Sequence, residues 1–190
     1  MKQAICSFIY HKILGWKAEV SVPDFDKCII CAAPHTTNWD LFIGKLFISA
    51  IGRESGFMMK KEWFFFPLGI LFRWMGGIPV HRDKRTSMVD QVIKQVNASE
   101  KFHLAITPEG TRSPNPNWKK GFYYIALGAN IPIVLIGIDY EKKCITAGKY
   151  IIPSGDRDKD MREIKLYFKD FKGKHPHKFV LGDIDLSLIH

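Results

Sequence analysis

The chain has no run of about 20 apolar residues, the length an α-helix needs to cross a hydrocarbon core, so no segment reads as a membrane span. It has only four cysteines in 190 residues, Cys6, Cys28, Cys31 and Cys144, too few for the disulfide framework of a small secreted domain. Cys28 and Cys31 have the C-x2-C spacing. They fall inside a strand pattern, where positions three apart point to opposite faces, and no second ligand pair accompanies them. A zinc site is therefore not expected, and no metal is implied. Reduced cysteines fit a cytoplasmic location. Internal repeats and low-complexity tracts are absent. Acidic side chains are scarce, 19 against 28 Lys and Arg, for a formal charge of +9. That balance favours anionic partners: lipid headgroups, a phosphorylated cofactor, an acidic carrier protein or nucleic acid. The basic residues are dispersed and carry no nucleic-acid motif, which speaks against the last of these.

What is present is an alternation of strand-like and helix-like segments. Strands are expected at 17–20, 27–33, 56–60, 78–82, 102–106, 131–139 and 144–151, and helices at 38–51, 68–75, 86–99, 121–128 and 158–171. Met88, Val89, Val92, Ile93 and Val96 repeat at helical spacing and define one apolar face. With 46% hydrophobic residues there is material for one core, and the alternation predicts an α/β fold: a single-domain αβα sandwich over 1–190 with a largely parallel central sheet. Ile5, Phe8, Ile9 and Lys12 also follow helical spacing, so 1–15 reads as an amphipathic helix lying on a membrane surface or packed on the domain. The tail 172–190, with Gly173, His175, Pro176 and His177, reads as loosely ordered.

Three clusters carry candidate chemistry. The first is Pro34-His35-Thr36-Thr37-Asn38-Trp39-Asp40. Five residues apart on a continuous helix, His35 and Asp40 would be rotated by roughly 140° and could not meet. A strand ending before Pro34 and a helix capped by Thr37 or Asn38 supply the turn that brings them together. An acid on an imidazole holds one tautomer, leaving the other nitrogen as a general base for a hydroxyl. The second is Thr107-Pro108-Glu109-Gly110-Thr111-Arg112-Ser113, which also follows a strand. In an open α/β sheet, ligands gather beyond the carboxyl ends of strands. Gly110 permits close backbone approach, and Thr111, Arg112 and Ser113 offer donors to an anion such as phosphate. Glu109 is a poor phosphate ligand and suits positioning of a neighbouring cation or base. The third is Gly76-Gly77-Ile78-Pro79-Val80-His81-Arg82, whose Arg82 can supply a second cationic arm. Between the first and third lies the most apolar stretch, 60–72, interrupted by Pro67 and Gly69. With Lys60, Lys61 and Arg73 beside it, this stretch suits either the core or a lipid headgroup boundary. Taken singly, each cluster also reads as an ordinary turn with solvated polar groups.

In order, H-x4-D, K-E-x6-G-x6-G-G-I-x-V-x-R, P-E-G-T-R-S and Ile131-Pro132-Ile133-Val134 resemble the four blocks of the glycerolipid acyltransferase family, over about residues 30–140. The resemblance implies that His35 is the base and Asp40 its partner. It implies that Arg82, Glu109, Gly110, Thr111 and Arg112 form the acceptor's phosphate site, and that Ile131-Pro132-Ile133 shapes the acyl or acceptor pocket. The acyl donor would be an acyl-CoA or acyl-carrier-protein thioester, with no cofactor held by the protein. The acceptor would be a lyso-phospholipid such as lysophosphatidic acid, reached from the inner face of the cell membrane by peripheral contact. Pro34, His81, Thr107 and Leu135 depart from the family pattern around an intact dyad, so an amino-acid lipid or glycolipid acceptor is the alternative. A protein that binds anionic lipid or nucleic acid without chemistry is the further one.

Overall fold

In a computed structural model of the chain, which describes residues 2–74, 76–80 and 88–182, strands form where apolar and β-branched runs are bounded by Pro, Gly, Asp or Ser. They are β1 (Lys17–Val20), β2 (Lys27–Ala33), β3 (Gly56–Lys60), β4 (Gly77–Val80), β5 (Phe102–Ile106), β6 (Ile133–Asp139) and β7 (Cys144–Ile151). All seven share one sheet, in the order β1-β7-β6-β2-β5-β3-β4. Every neighbouring pair is parallel except β6 with β7. The helices are α1 (Lys2–Phe8), α2 (Trp39–Ala50), α3 (Leu68–Trp74), α4 (Met88–Ala98), α5 (Gly121–Ala129) and α6 (Arg157–Phe168).

A central parallel strand is covered on both faces and must be apolar throughout. β6 is buried along its whole length, and β2 is buried at Cys28, Ile29, Ile30, Cys31 and Ala33. Alternate residues join opposite cores. Ile29, Cys31 and Ala33 pack with Val92 and Val96 of α4, Phe122 and Ile125 of α5, and Ile164 and Phe168 of α6. Cys28 and Ile30 pack with Ile43, Phe47 and Ile48 of α2 and with Tyr10. Cys28 and Cys31 are therefore on opposite faces, as the strand pattern requires. Fully burying a side chain such as Ile29, Leu104 or Leu135 is worth about 1.5–3 kcal/mol, so β2, β5 and β6 form a rigid frame for the loops at their ends. The arrangement is the expected αβα sandwich with a largely parallel sheet.

One expectation needs correction. The tail is ordered as far as it is described. Phe171 packs on Gly137 of β6, so closely that a Cβ there would collide with its ring. Tyr140 N–H donates to the Lys172 carbonyl at 2.8 Å, and His175 N–H donates to Thr36 Oγ1 at 3.2 Å. Residues 171–182 thus form a strap past the carboxyl ends of β6 and β2, and Trp118 Nε1 fastens it by donating to the Val180 carbonyl at 3.0 Å. Packing that few local letters announce orders the segment. At the N-terminus, α1 gives way to a π-helical turn at Ile9–Ile13. Tyr10, within that turn, lies in the core, where its hydroxyl donates to the Lys17 carbonyl at 2.9 Å. Ile5, Phe8 and Lys12 stay exposed and Ile9 is half-buried.

Candidate active site

The carboxyl ends of three adjacent parallel strands build the site. β2 ends at Ala33, the Ala33–Pro34 peptide is cis, and His35, Thr36 and Thr37 turn the chain into α2. Asp40, in the first turn of α2, folds its side chain back over that turn. Its Oδ2 accepts from His35 Nδ1 at 3.1 Å, Thr36 N–H at 2.8 Å and Thr37 N–H at 2.9 Å. A carboxylate only accepts, so Nδ1 carries the ring proton and Nε2 presents its lone pair. Asp40 is 4% exposed, and these bonds offset the cost of burying it. The side chain of His35 keeps 19% of its surface exposed, enough for a substrate to reach it. Neither expected cap closes α2 strongly: Asn38 makes no capping bond, and Thr37 Oγ1 accepts from Trp39 N–H at 3.4 Å.

The register pairs Ala33 with Gly137 of β6 and Cys31 with Ile106 of β5, so the residues just past these strands lie side by side. From β6 comes Tyr140, whose hydroxyl donates to Asp40 Oδ1 at 2.7 Å and whose ring stands edge-on to Trp16, centroids 5.0 Å apart. Burial first, and then the bond to Asp40, push its phenol well above the ordinary range, so it remains a donor. Tyr140 carries no motif. The signal that could have found it is its place one residue beyond a strand neighbouring β2, at the end where ligands gather.

From the β5 side comes Glu109, 3% exposed. Its Oε1 accepts the His35 N–H at 2.9 Å, while Oε2 has no partner among the described residues. Burial raises its carboxyl to about 7 against the opposing pull of the His35 N–H. Glu109 thus supports the backbone of the histidine. Gly110 follows at φ +68°, a left-handed conformation that disfavours a side chain. Thr111 Oγ1 accepts from Ser113 N–H at 3.2 Å, which tightens the loop. Arg112 is exposed and its Nη1 donates to Asn38 Oδ1, which brings the guanidinium to the start of α2 beside the dyad. Arg82 lies outside the described residues. Ile131, Pro132 and Ile133 do not shape a pocket at this end. Ile131 and Ile133 are buried in the core, and Pro132 accepts from Ile29 N–H at the amino end of β6, about 23 Å of strand from Tyr140 at roughly 3.3 Å per residue. Cys28 and Cys31 are poor nucleophile candidates, because burial pushes the Cys28 thiol up to about 12 and that of Cys31 well above its usual value.

Comparison with known proteins bears on the family and the fold. Residues 18–139 match the model of the family described as Acyltransferase. Among solved structures, the chain is similar to the 1-acyl-sn-glycerophosphate (LPA) acyltransferase, PlsC, from Thermotoga maritima. The two are 17% identical with a TM-score of 0.58, over 87% of this chain and 77% of that one, a likeness of fold. No curated protein sequence matches the chain at a significant level.

Proposed function

The chain belongs to the Acyltransferase family, and on that premise we propose that this acyltransferase moves a fatty acyl group from a thioester to a hydroxyl of a lyso-phospholipid such as lysophosphatidic acid. The observation that carries the reading is the pairing of His35 Nδ1 with Asp40 Oδ2 at 3.1 Å. With Nδ1 spent on Asp40, His35 Nε2 takes the proton of the acceptor hydroxyl as its oxygen attacks the thioester carbonyl. A C–O bond forms, the C–S bond breaks, and the departing thiolate takes the proton from the imidazolium, returning His35 to its neutral state. A thiolate leaves readily, so no nucleophile of the enzyme is needed. Arg112, with Gly110 and Thr111 beside it, meets the acceptor's phosphate, Arg82 supplies the second cationic arm, and Glu109 holds the backbone from which His35 projects. The PlsC likeness supports a lysophosphatidate acceptor. An acyl-CoA or an acyl-carrier-protein suits a chain of formal charge +9, because both donors are anionic.

The protein reaches its lipid peripherally, at the inner face of the cell membrane. No helix among the described residues is long and apolar enough to cross a membrane. Trp39, Leu41 and Phe42 are exposed on the helix that carries Asp40, Ile5 and Phe8 are exposed on α1 packed against it, and Lys174 lies over the Trp39 ring at 5.9 Å. Aromatic rings with a neighbouring cation suit an anionic headgroup layer. The test is a panel of lyso-lipid acceptors with a medium-chain acyl thioester, read by free thiol. Turnover should be highest with the phosphate-bearing acceptor. Higher turnover with an amino-acid lipid or a glycolipid would reassign the acceptor, and thiol release with none of them would reject lipid acylation.

A further inference from the structure

Asp40 uses both carboxylate oxygens, and only one faces the histidine. Oδ2 is held by the backbone of the turn and by His35, whereas Oδ1 receives the Tyr140 hydroxyl at 2.7 Å, the shortest bond to this carboxylate. Its place in the chain and two further contacts hold Tyr140 in position. It follows directly on β6, its N–H donates to the Lys172 carbonyl of the strap at 2.8 Å, and its ring stands on Trp16. The hydroxyl is therefore delivered to Asp40 by the sheet, the tail and the turn before β1 together. A group held so firmly restricts rotation of the carboxylate about its last bond, and that rotation would carry Oδ2 away from Nδ1.

We propose that Tyr140 is a positioning residue of the acyl transfer, the outer member of a Tyr140–Asp40–His35 chain in which its hydroxyl sets the orientation of the carboxylate that receives the histidine ring. This rests on His35 being the base. The hydroxyl also draws part of the carboxylate's charge toward Oδ1. Removing it leaves more charge on Oδ2, favours the protonated ring, and so withdraws the base at a higher pH than in the intact chain. Other titratable or charged groups around the dyad are Glu109 on the His35 backbone, Arg112 on Asn38, and Lys174 and His175 from the strap. All of them are present in both chains of the comparison, and Glu109 is coupled to His35 and Asp40 in each.

The experiment compares the intact chain with Tyr140→Phe, which keeps the ring against Trp16 and removes only the donor. The expected result is a fall in kcat of about tenfold with KM unchanged, and an acid limb of kcat/KM displaced to higher pH. In an Asp40→Ala background the same substitution should cost less than about twofold, because the hydroxyl then has no carboxylate to act through. A wild-type kcat and acid limb in Tyr140→Phe, or an equal loss in both backgrounds, would overturn the proposal. His35→Ala run alongside separates the two levels. Loss of turnover there with an unaltered Tyr140→Phe refutes the tyrosine's role alone, whereas full turnover in His35→Ala refutes the histidine base and this proposal with it.

Discussion

Glu109 shows how one carboxyl ties the site to the stability of the chain. Burial holds it up at about 7, against 4.5 for an ordinary glutamate. Between these values the folded chain keeps a proton that the unfolded chain has released. The contribution of Glu109 to stability is therefore full below about 4.5 and is lost as pH rises through about 7, by up to about 3 kcal/mol in all. Glu109→Gln retains an oxygen to accept the His35 N–H and cannot ionise. Urea unfolding at pH 5 and pH 8 should show a decline in the wild type that is largely flattened in the variant; an equal decline in both would place the titration elsewhere. In the sequence its chemistry points to a positioning group, because a carboxylate is a poor phosphate ligand, whereas the family resemblance puts it in the acceptor's phosphate site. That it would hold the backbone of His35 was not legible, because the contact joins loops 74 residues apart. Tyr140 was still less legible, lying 100 residues from Asp40 with nothing in its local letters to mark it.

Among the elements, the strands read most clearly. β1, β2, β3, β5 and β7 have the bounds that the sequence predicts, most transparently at β2, where a strand buried on both faces needs an unbroken apolar run and a turn residue stops it. The dyad was legible for the same reason, because Pro34 places His35 at a strand end and Asp40 in the first turn of a helix. The strap was not legible, for its order comes from Gly137 and Trp118 rather than from its own sequence. Gly137 makes this testable. A Cβ at that position meets the Phe171 ring, and the strap must shift. Overpacking of this kind costs about 1–3 kcal/mol, so Gly137→Ala should lower Tm by about 3–10 °C in a chain of this size, and a thermal melt decides it. An unchanged Tm would mean that Phe171 does not fasten the strap.

Across the whole molecule, basic charge and exposed aromatics meet near the site. Trp39 and Phe42 stand with ring centroids 5.6 Å apart on the helix that carries Asp40, so contact with a lipid layer through them would hold His35 at the headgroup boundary. Trp39→Ser with Phe42→Ser should weaken sedimentation with anionic vesicles and lower turnover of a vesicle-borne acceptor, while sparing turnover of a water-soluble, short-chain one. Equal loss on both acceptors would mean that the pair serves the catalytic site rather than the membrane. More direct than any of these is thiol release from an acyl thioester in the presence of lyso-lipid, comparing the wild type with His35→Ala, each checked by a melting curve. The expected result is a folded variant whose turnover falls by about 10²–10⁴-fold. A folded His35→Ala that releases thiol at the wild-type rate would contradict acyl transfer driven by this histidine.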